Sequence, residues 1–364
     1  MTALDVALAA GVSQATVSRA FTEGSSISPT LRAKVLVAAN RLGYTPNLLA
    51  RSLTSGRSKI IGVGVGNLHN PFFSESLEML SLELKDAGYR LLLFPLDDSG
   101  PSGTDINDVL RYQVDALVVL STTLTSTLAT ECKRANIPVI FYNRISRDPD
   151  ISSVVGDNHT GGRAIAAFFT AAGHTRPAII TGLAESSTSR EREAGFASYY
   201  NDMSMASPTR TSGAFNYDSA ADAMRQLLLA QAQPDAVFCA NDYMAFAAIN
   251  VARFEFGLDV GHDISIIGFD NVKPAEWACF GLTTYEQPVH EMVRRTVELI
   301  DAVSRVPALV RHERVSGRLV MRTSSRRPRT TAPIDPPIVG QSGPGLTGTR
   351  IEGCKAVPSS SFPP

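Results

Sequence analysis

The sequence has few cysteines, no long apolar run and almost no net charge. Its four cysteines lie far apart in 364 residues, without the spacing of a disulfide framework or of zinc ligands, which favours a reduced cytoplasmic compartment. No apolar run approaches the roughly 20 residues that a membrane-spanning helix needs. The N-terminus has an early acid and no basic region, so no signal peptide is expected there. With 44% hydrophobic residues, the chain is not wholly disordered.

Catalytic and metal-binding patterns are also missing. The glycines of Gly62-Val63-Gly64-Val65-Gly66 alternate along a predicted strand instead of opening a helix, so they do not form a nucleotide-binding loop. No Ser-His-Asp or Cys-His order suits a nucleophile. The six histidines have no metal-ligand spacing and are expected at surface or capping positions: His69, His159, His174, His262, His290 and His312. We therefore expect no enzyme activity, no cofactor and no bound metal.

The charge is distributed unevenly, although the formal net charge is −1. Residues 1–59 carry seven Lys or Arg and two acids, and residues 326–364 carry five and two. The remaining residues hold 22 bases and 31 acids. A basic head on an acidic body favours a module that binds a polyanion, although chance clustering of surface charges gives the same totals.

Residues 1–45 predict three short helices. Thr2 has capping-box spacing to an acid three residues later, Ser13 can cap a second helix, and Ser28-Pro29 can begin a third. Gly11 ends the first helix within a tight turn. Two helices joined by a tight turn and followed by a third are typical of a helix-turn-helix domain.

The second predicted helix carries small or hydrogen-bonding side chains near its N-terminus. Such a surface can enter the major groove, where Arg can donate two hydrogen bonds to guanine and Gln can pair with adenine. The alternative is a solvated polar face on an ordinary three-helix cluster. The candidate DNA-binding residues of this segment are Gln14, Ala15, Thr16, Ser18 and Arg19.

Residues 46–58 combine a short helical segment with a basic linker. Asn47 can cap a helix over Leu48–Leu53, which is too short to be stable alone in water. The segment has apolar residues but no obvious core to face. Thr54–Ser58 has the composition of a flexible linker.

Residues 59–325 alternate apolar, β-branched runs with amphipathic helical patterns. The runs are Lys59–Val65, Arg90–Pro95, Ala116–Leu120, Pro138–Tyr142, Ser153–Val155, Ala178–Thr181, Ala236–Cys239 and Ile264–Phe269. This alternation predicts an α/β fold in which parallel sheets are covered by helices on both faces. The length is large for one sheet, so we expect two doubly wound subdomains, about 59–157 plus 287–314 and about 158–286 plus 315–325. Ligands bind such folds in the cleft at the carboxyl ends of the strands.

Polar side chains follow several of these strands, and one arginine lies at a predicted helix start. Carboxylates, amides and a guanidinium around a cleft can hold vicinal hydroxyls or an anionic group, although capping and structural ion pairs are the alternatives. Two aromatic side chains can supply a stacking face, although core packing is the commoner role of Phe. The candidate ligand-binding residues are Phe73, Asn143, Asp157, Arg192, Asn241, Asp270 and Trp277.

Several short motifs, in this order, resemble the LacI/GalR family of bacterial transcription regulators. The motifs are Asp5-Val6-Ala7, Ala10-Gly11-Val12-Ser13, Thr16-Val17-Ser18-Arg19, Leu42-Gly43-Tyr44-Thr45-Pro46-Asn47, Ala50-Arg51-Ser52-Leu53, Gly56-Arg57-Ser58 and Asn70-Pro71-Phe72-Phe73. They cover about 70 contiguous residues, and the resemblance extends more loosely to about residue 325. It implies a cytoplasmic, nucleoid-associated homodimer that binds double-stranded operator DNA and a small-molecule effector.

The resemblance also implies domains and residue roles. Residues 1–45 form the helix-turn-helix domain, residues 46–58 a hinge helix and linker, and residues 59–325 an effector-binding and dimerisation body similar to periplasmic sugar-binding proteins. Gln14 and Ala15 match positions that vary with operator sequence. Arg19, Thr16, Ser18 and Ser13 match base or phosphate contacts, and the DNA-binding set is completed by Tyr44, Asn47, Ala50 and Leu53. Leu53 matches the leucine with which the hinge helix of the family enters the minor groove of the operator and separates the base pairs of its central step. The alternative is a leucine of the linker that packs against the body.

In the body, the resemblance assigns effector contacts to four of the candidates, and to a fifth in some members only. The four are Asn143, Arg192, Asn241 and Asp270, and the fifth is Asp157. Residues 326–364 depart from the family pattern, are rich in Pro, Gly, Ser and Thr, and are predicted to be disordered. The alternative function is a periplasmic-type small-molecule binding protein that does not bind DNA.

Overall fold

The computed structural model describes residues 1–22, 24–45, 57–96, 106–120, 126–306 and 308–328. Three helices form the N-terminal head: α1 (Ala3–Ala10), α2 (Gln14–Ala20) and α3 (Pro29–Arg41). The predicted caps are confirmed, because the side chains of Thr2, Ser13 and Ser28 each accept a hydrogen bond from the backbone N–H three residues on. Gly11 ends α1 at a φ of 61°, a conformation in which glycine is free of the usual Cβ penalty.

The first sheet of the body is wholly parallel. Its strands are β1 (Ile60–Val65), β2 (Arg90–Pro95), β3 (Ala116–Leu120), β4 (Val139–Tyr142), β5 (Ser152–Gly156) and β11 (His312–Val315). They lie in the spatial order β11-β5-β4-β3-β1-β2. The helices of this subdomain are α4 (Pro71–Asp86), α5 (Ile106–Arg111), α6 (Ser126–Arg134) and α11 (Val289–Arg305).

The second sheet is parallel except at one edge. Its strands are β6 (Pro177–Thr181), β7 (Thr209–Ser212), β8 (Ala236–Cys239), β9 (Ser265–Asp270), β10 (Thr283–Glu286) and β12 (Arg318–Val320). They lie in the order β12-β10-β9-β8-β6-β7, with β12 antiparallel to β10. The helices of this subdomain are α7 (Asn158–Ala171), α8 (Ser187–Asp202), α9 (Tyr217–Leu229) and α10 (Asp242–Asn250). The chain passes between the sheets after β5, after β10 and after β11.

All eight predicted apolar runs are strands, with bounds that shift by a residue or so. Four further strands, β7, β10, β11 and β12, have no apolar run to mark them. Three of these, β7, β11 and β12, lie at sheet edges, and most of their side chains are exposed or only half-buried, so they need not be apolar. Edge strands are therefore the part of the topology that an apolar pattern misses. Within the described ranges, no helix is long and apolar enough to cross a membrane.

Two expectations about the periphery of the body were wrong. His174 is not at the surface, because its ring is buried edge-on against Phe169 with 5.5 Å between centroids. Burial lowers the pKa of His174 to about 4, so this histidine is neutral at physiological pH. Arg326 belongs to the folded body and not to a disordered tail, since its backbone N–H donates to Ser265 Oγ at 2.9 Å. The prediction of disorder for 329–364 lies outside the described residues.

Helices α7 and α8 pack backbone against backbone. A Cβ atom on Gly162 would lie 2.2 Å from the carbonyl oxygen of Arg192, and one on Gly195 would lie 2.0 Å from that of His159. Any side chain at these two positions therefore forces the helices apart. This close crossing fixes the position of Arg192 relative to α7.

We predict that Gly195→Ala destabilises the body by roughly 1–3 kcal/mol, because the added methyl group collides with backbone that has no rotamer to change. Urea unfolding of the full chain measures the loss. Ala194→Ser, on the exposed side of the same helix, is the control and should stay within about 0.5 kcal/mol of the parent. Equal unfolding midpoints for both variants would show that the helices can separate without cost.

Candidate functional site

One side of α2 is exposed and the other forms the core of the head. The exposed positions are Ser13, Gln14, Ala15, Ser18 and Arg19, with Thr16 half-buried. On the opposite side Val17 and Ala20 are buried. Tyr44 is half-buried and packs edge-on against Phe21, with 5.9 Å between ring centroids. The predicted DNA contacts Asn47, Ala50 and Leu53 lie outside the described residues.

The head is attached to the body through a polar junction at residues 57–59. The Asp115 carboxylate accepts from the backbone N–H of Ser58 at 2.8 Å, from Ser58 Oγ at 2.9 Å and from the N–H of Lys59 at 3.2 Å. Arg57 donates to the carbonyl oxygen of Ser304, in the last turn of α11, at 2.8 Å. The end of the linker is thereby fixed to the first subdomain.

A cavity of about 180 Å³ lies where the carboxyl ends of strands from both sheets meet. Five asparagines line it: Asn67, Asn70, Asn143, Asn216 and Asn241. The other lining residues include Phe73 and Phe215, which are apolar, and Arg192 and Asp270, which are charged. The structure thus brings together five of the seven predicted ligand-binding residues. Phe215 and most of the asparagines were not predicted.

Arg192 and Asp270 form a buried ion pair at one wall of the cavity, with 3.3 Å between Nη2 and Oδ1. Arg192 Nε donates to Asn158 Oδ1 at 2.9 Å, and Nη1 donates to the carbonyl oxygen of Ala240 at 2.5 Å. Its guanidinium carbon lies 3.8 Å from the centroid of the Phe269 ring. Burial lowers the pKa of Arg192, but arginine remains protonated at any physiological pH.

Two buried polar atoms at the cavity lack a hydrogen-bond partner among the described residues. They are Asn143 Oδ1, an acceptor, and Arg192 Nη2, a donor that lies 3.3 Å from Asp270 Oδ1 in the ion pair but makes no hydrogen bond there. Unsatisfied buried groups are costly, so each favours a ligand that completes it. A hydroxyl group can donate to one atom and accept from the other, and a polyhydroxylated molecule offers several such groups.

A second buried carboxylate, Asp242, lies behind the cavity. Its oxygens accept from Thr284 Oγ1 at 2.6 Å and from the backbone N–H of Val272 at 2.9 Å. Burial and the nearby charge of Asp270 raise the pKa of Asp242. Burial also raises the pKa of Asp270, and there Arg192 opposes the shift. Gln287 donates from Nε2 to Asp270 Oδ1 at 2.7 Å and so helps to hold that carboxylate.

Two predicted ligand residues do not line this cavity. Asp157 is the N-cap of α7, where it accepts from the backbone N–H of Thr160 at 3.2 Å, and it faces an open surface groove. Trp277 follows a short 3-10 turn and is 54% exposed. Both follow the end of a strand or turn, but neither is among the residues that line the cavity. Asn241 lines the cavity and also caps α10, accepting from Met244 N–H at 2.9 Å.

Two segments of the chain match known protein families. Residues 2–47 match the model for bacterial regulatory proteins of the lacI family, and residues 166–325 match a periplasmic binding protein-like domain. The HTH-type transcriptional repressor PurR of Photobacterium profundum is 30% identical over 300 residues, which are 81% of this chain and 90% of that protein. The chain belongs to the lacI family.

Other lacI-family proteins support this assignment. The ribose operon repressor of Escherichia coli is 30% identical over 300 residues, 81% of this chain and 91% of the repressor. The lac repressor dimer bound to operator and the anti-inducer ONPF has a TM-score of 0.79 at 28% identity, over 90% of this chain and 99% of that one. A complex of the regulator CelR with cellobiose has a TM-score of 0.67 at 28% identity, over 89% and 100%. The alternative of a binding protein without a DNA function is not supported.

We predict that Asp242→Asn changes the pH dependence of stability. Because the folded state raises the pKa of Asp242, it retains a proton that the unfolded chain releases above about pH 4. The parent therefore loses stability as the pH rises from about 4 to neutrality, and the asparagine variant lacks this loss. The unfolding free energy of the variant relative to the parent should rise by roughly 1–3 kcal/mol over that window.

Urea unfolding at a series of pH values measures this difference. Asp259→Asn, which changes an exposed carboxylate of the same subdomain, is the control. A difference between Asp242→Asn and the parent that stays constant with pH would contradict the raised pKa.

Proposed function

We propose that the chain is a homodimeric repressor that binds operator DNA through α2 and whose operator affinity is controlled by a small polyhydroxylated effector in the cavity. In this proposal residues 1–45 bind the DNA, and residues 59–325 bind the effector and dimerise. Residues 46–58 connect these two parts of the chain. The observation that carries the effector assignment is that two residues lining the cavity, Asn143 and Arg192, each hold a buried polar atom that makes no hydrogen bond in the described part of the chain, Asn143 Oδ1 and the ion-paired Arg192 Nη2.

The size of the cavity favours a single sugar ring as the effector. Its volume of about 180 Å³ lies below the roughly 300 Å³ at which pockets for drug-sized ligands begin. The five asparagines supply donors and acceptors without net charge, and Phe73 and Phe215 offer apolar surface to a sugar ring. The relative that is named a ribose operon repressor agrees with this class.

The DNA-binding assignment rests on the exposed side of α2. Arg19 can donate two hydrogen bonds to a guanine, and Gln14 can pair with adenine. Dimerisation is proposed because the lac repressor, a structural neighbour, is a dimer on its operator. A repressor of this kind acts on chromosomal DNA, so we place it in the cytoplasm at the nucleoid. The proposed role is binding rather than catalysis, in agreement with relatives that are named as repressors.

Two experiments test the two halves of the proposal. Duplexes that the protein binds are selected from a random DNA pool, and a panel of monosaccharides is then tested for release or enhancement of this binding. We expect a palindromic site, since a two-fold dimer reads two half-sites. We also expect a salt dependence with a slope of about −0.9 per phosphate contacted. Failure to enrich any duplex at low salt would refute the DNA-binding assignment. An enriched duplex that no monosaccharide affects would refute the sugar assignment alone.

We predict that Arg19→Ala reduces discrimination between the selected operator and a scrambled duplex by roughly 10- to 100-fold, because a base-reading pair contributes about 1–3 kcal/mol. Competition binding on the two duplexes measures the ratio. Arg41→Ala, an exposed arginine at the end of α3, removes the same charge and should leave the ratio unchanged. Retained discrimination in Arg19→Ala would remove this residue from the base-reading surface.

We predict that Asp270→Asn weakens binding of the effective sugar by about 10-fold or more, since hydrogen bonds to a charged group contribute about 1.5–3 kcal/mol. Operator affinity without sugar should change little, because Asp270 lies in the body and not in the head. Calorimetric titration with the sugar and operator binding with and without it give the two values. Asp218→Asn, on the exposed first turn of α9, is the control. A normal sugar response in Asp270→Asn would place the effector elsewhere.

A further inference from the structure

Hydrogen bonds connect the cavity to the surface groove that Glu191 and Arg314 line. Asn158, which is wholly buried, accepts from Arg192 Nε at 2.9 Å and donates from Nδ2 to Glu191 Oε2 at 3.3 Å. The Glu191 carboxylate in turn accepts from both terminal nitrogens of Arg314, at 2.7 and 3.2 Å. A buried arginine of the cavity is thus three side chains away from a surface arginine.

The two ends of this connection belong to different subdomains. Arg314 lies on β11, an edge strand of the first sheet, whereas Glu191 lies on α8, which packs over the second. Their side chains are 48% and 24% exposed, and they line the surface groove that Asp157 also faces. Paired hydrogen bonds from a guanidinium to a carboxylate have a fixed planar geometry, so this pair restricts the relative orientation of the two subdomains.

Glu191 also determines the orientation of the Asn158 amide. The Nδ2 group donates to the carboxylate, which leaves Oδ1 facing Arg192. The reversed amide would place a donor against the Arg192 guanidinium and an acceptor against the Glu191 carboxylate. Because neither contact forms a hydrogen bond, the charge of Glu191 selects the amide orientation that fixes Arg192 Nε.

We propose that Glu191 and Arg314 form a latch between the two subdomains, which sets the opening of the cleft and positions Arg192 for the effector. This inference rests on the proposed effector site. Opening of the latch and engagement of Arg192 by a ligand affect each other, because the two are joined through Asn158. If opening of the latch changes the dissociation constant of the ligand by some factor, then by linkage ligand binding changes the equilibrium constant for opening of the latch by the same factor.

The opening of the cleft can be measured without DNA or sugar by pulsed electron paramagnetic resonance. Spin labels at Leu68→Cys and Ala184→Cys lie beside Asn67 and Leu183, which line the cavity from opposite subdomains. Cys279 and Cys354 are replaced by Ser in this background. Dilution with unlabelled protein leaves one labelled protomer per dimer, so each distance is measured within one chain.

Glu191→Gln and Arg314→Gln should each broaden or shift the distribution of distances between the two labels. The ratio of open to closed clefts should change about two- to fivefold, which is the effect expected of a half-exposed ion pair. The charge-exchanged variant Glu191→Arg/Arg314→Glu should restore the parent distances, because it re-forms the ion pair between the subdomains, which a purely local packing role would not do. It does not restore the acceptor that Asn158 Nδ2 has in Glu191, so the distances test the latch and not the position of Arg192. Arg318→Gln is the matched control. It breaks an exposed pair with Glu286 on neighbouring strands of one sheet, so it should leave the distances unchanged.

Parent distances in both single variants would overturn the latch. So would a shift in Arg318→Gln of the same size. These outcomes are independent of the proposed repressor function, since a protein that selects no operator or sugar can still show or lack the latch.

Discussion

The body depends on the burial of one positive charge. Arg192 is 2% exposed, and a guanidinium out of water is costly unless its donors find acceptors. Asn158, Ala240 and Asp270 supply these acceptors from α7, from the end of β8 and from the end of β9. The Phe269 ring covers one face of the guanidinium. Because three elements must meet at one side chain, the charge fixes the geometry of the second subdomain around the cavity.

The same charge explains why two carboxylates are tolerated in the interior. Asp270 and Asp242 are both buried near Arg192, and each has further donors, from Gln287 and from Thr284. Such a network is stable only when nearly every polar atom is satisfied. Three buried atoms of these described residues make no hydrogen bond: Gln287 Oε1, Asn143 Oδ1, and Arg192 Nη2, which Asp270 holds only as an ion pair. Of the three residues, Arg192 and Asn143 line the cavity, so they are where an added molecule gains most.

Much of this architecture could be predicted from the sequence, because it depends on local patterns. Apolar β-branched runs marked the central strands, and polar residues directly after them marked Asn143, Asn241 and Asp270 as cavity residues. The same rule applied after β1 would have added Asn67, whereas Asn70 lies farther on, at the N-cap of α4. The rule fails for Asp157, since a position after a strand does not determine the direction of a side chain. Trp277, which was predicted for its aromatic ring, does not line the cavity. Asn158 and Gln287 act through contacts across the fold, which no local pattern predicts.

The junction at Asp115 has a geometric consequence for the DNA that the protein can bind. Three hydrogen bonds hold Ser58 and Lys59 to the first subdomain, so this anchor point moves with that subdomain as a rigid unit. Twelve peptide bonds separate Thr45 from Arg57, and a fully extended chain of that length spans about 40 Å. The helix-turn-helix domain can therefore lie no farther from this anchor than the span of the linker. In a dimer, the separation of two such anchors limits how far apart two half-sites can lie, whatever bases those half-sites contain.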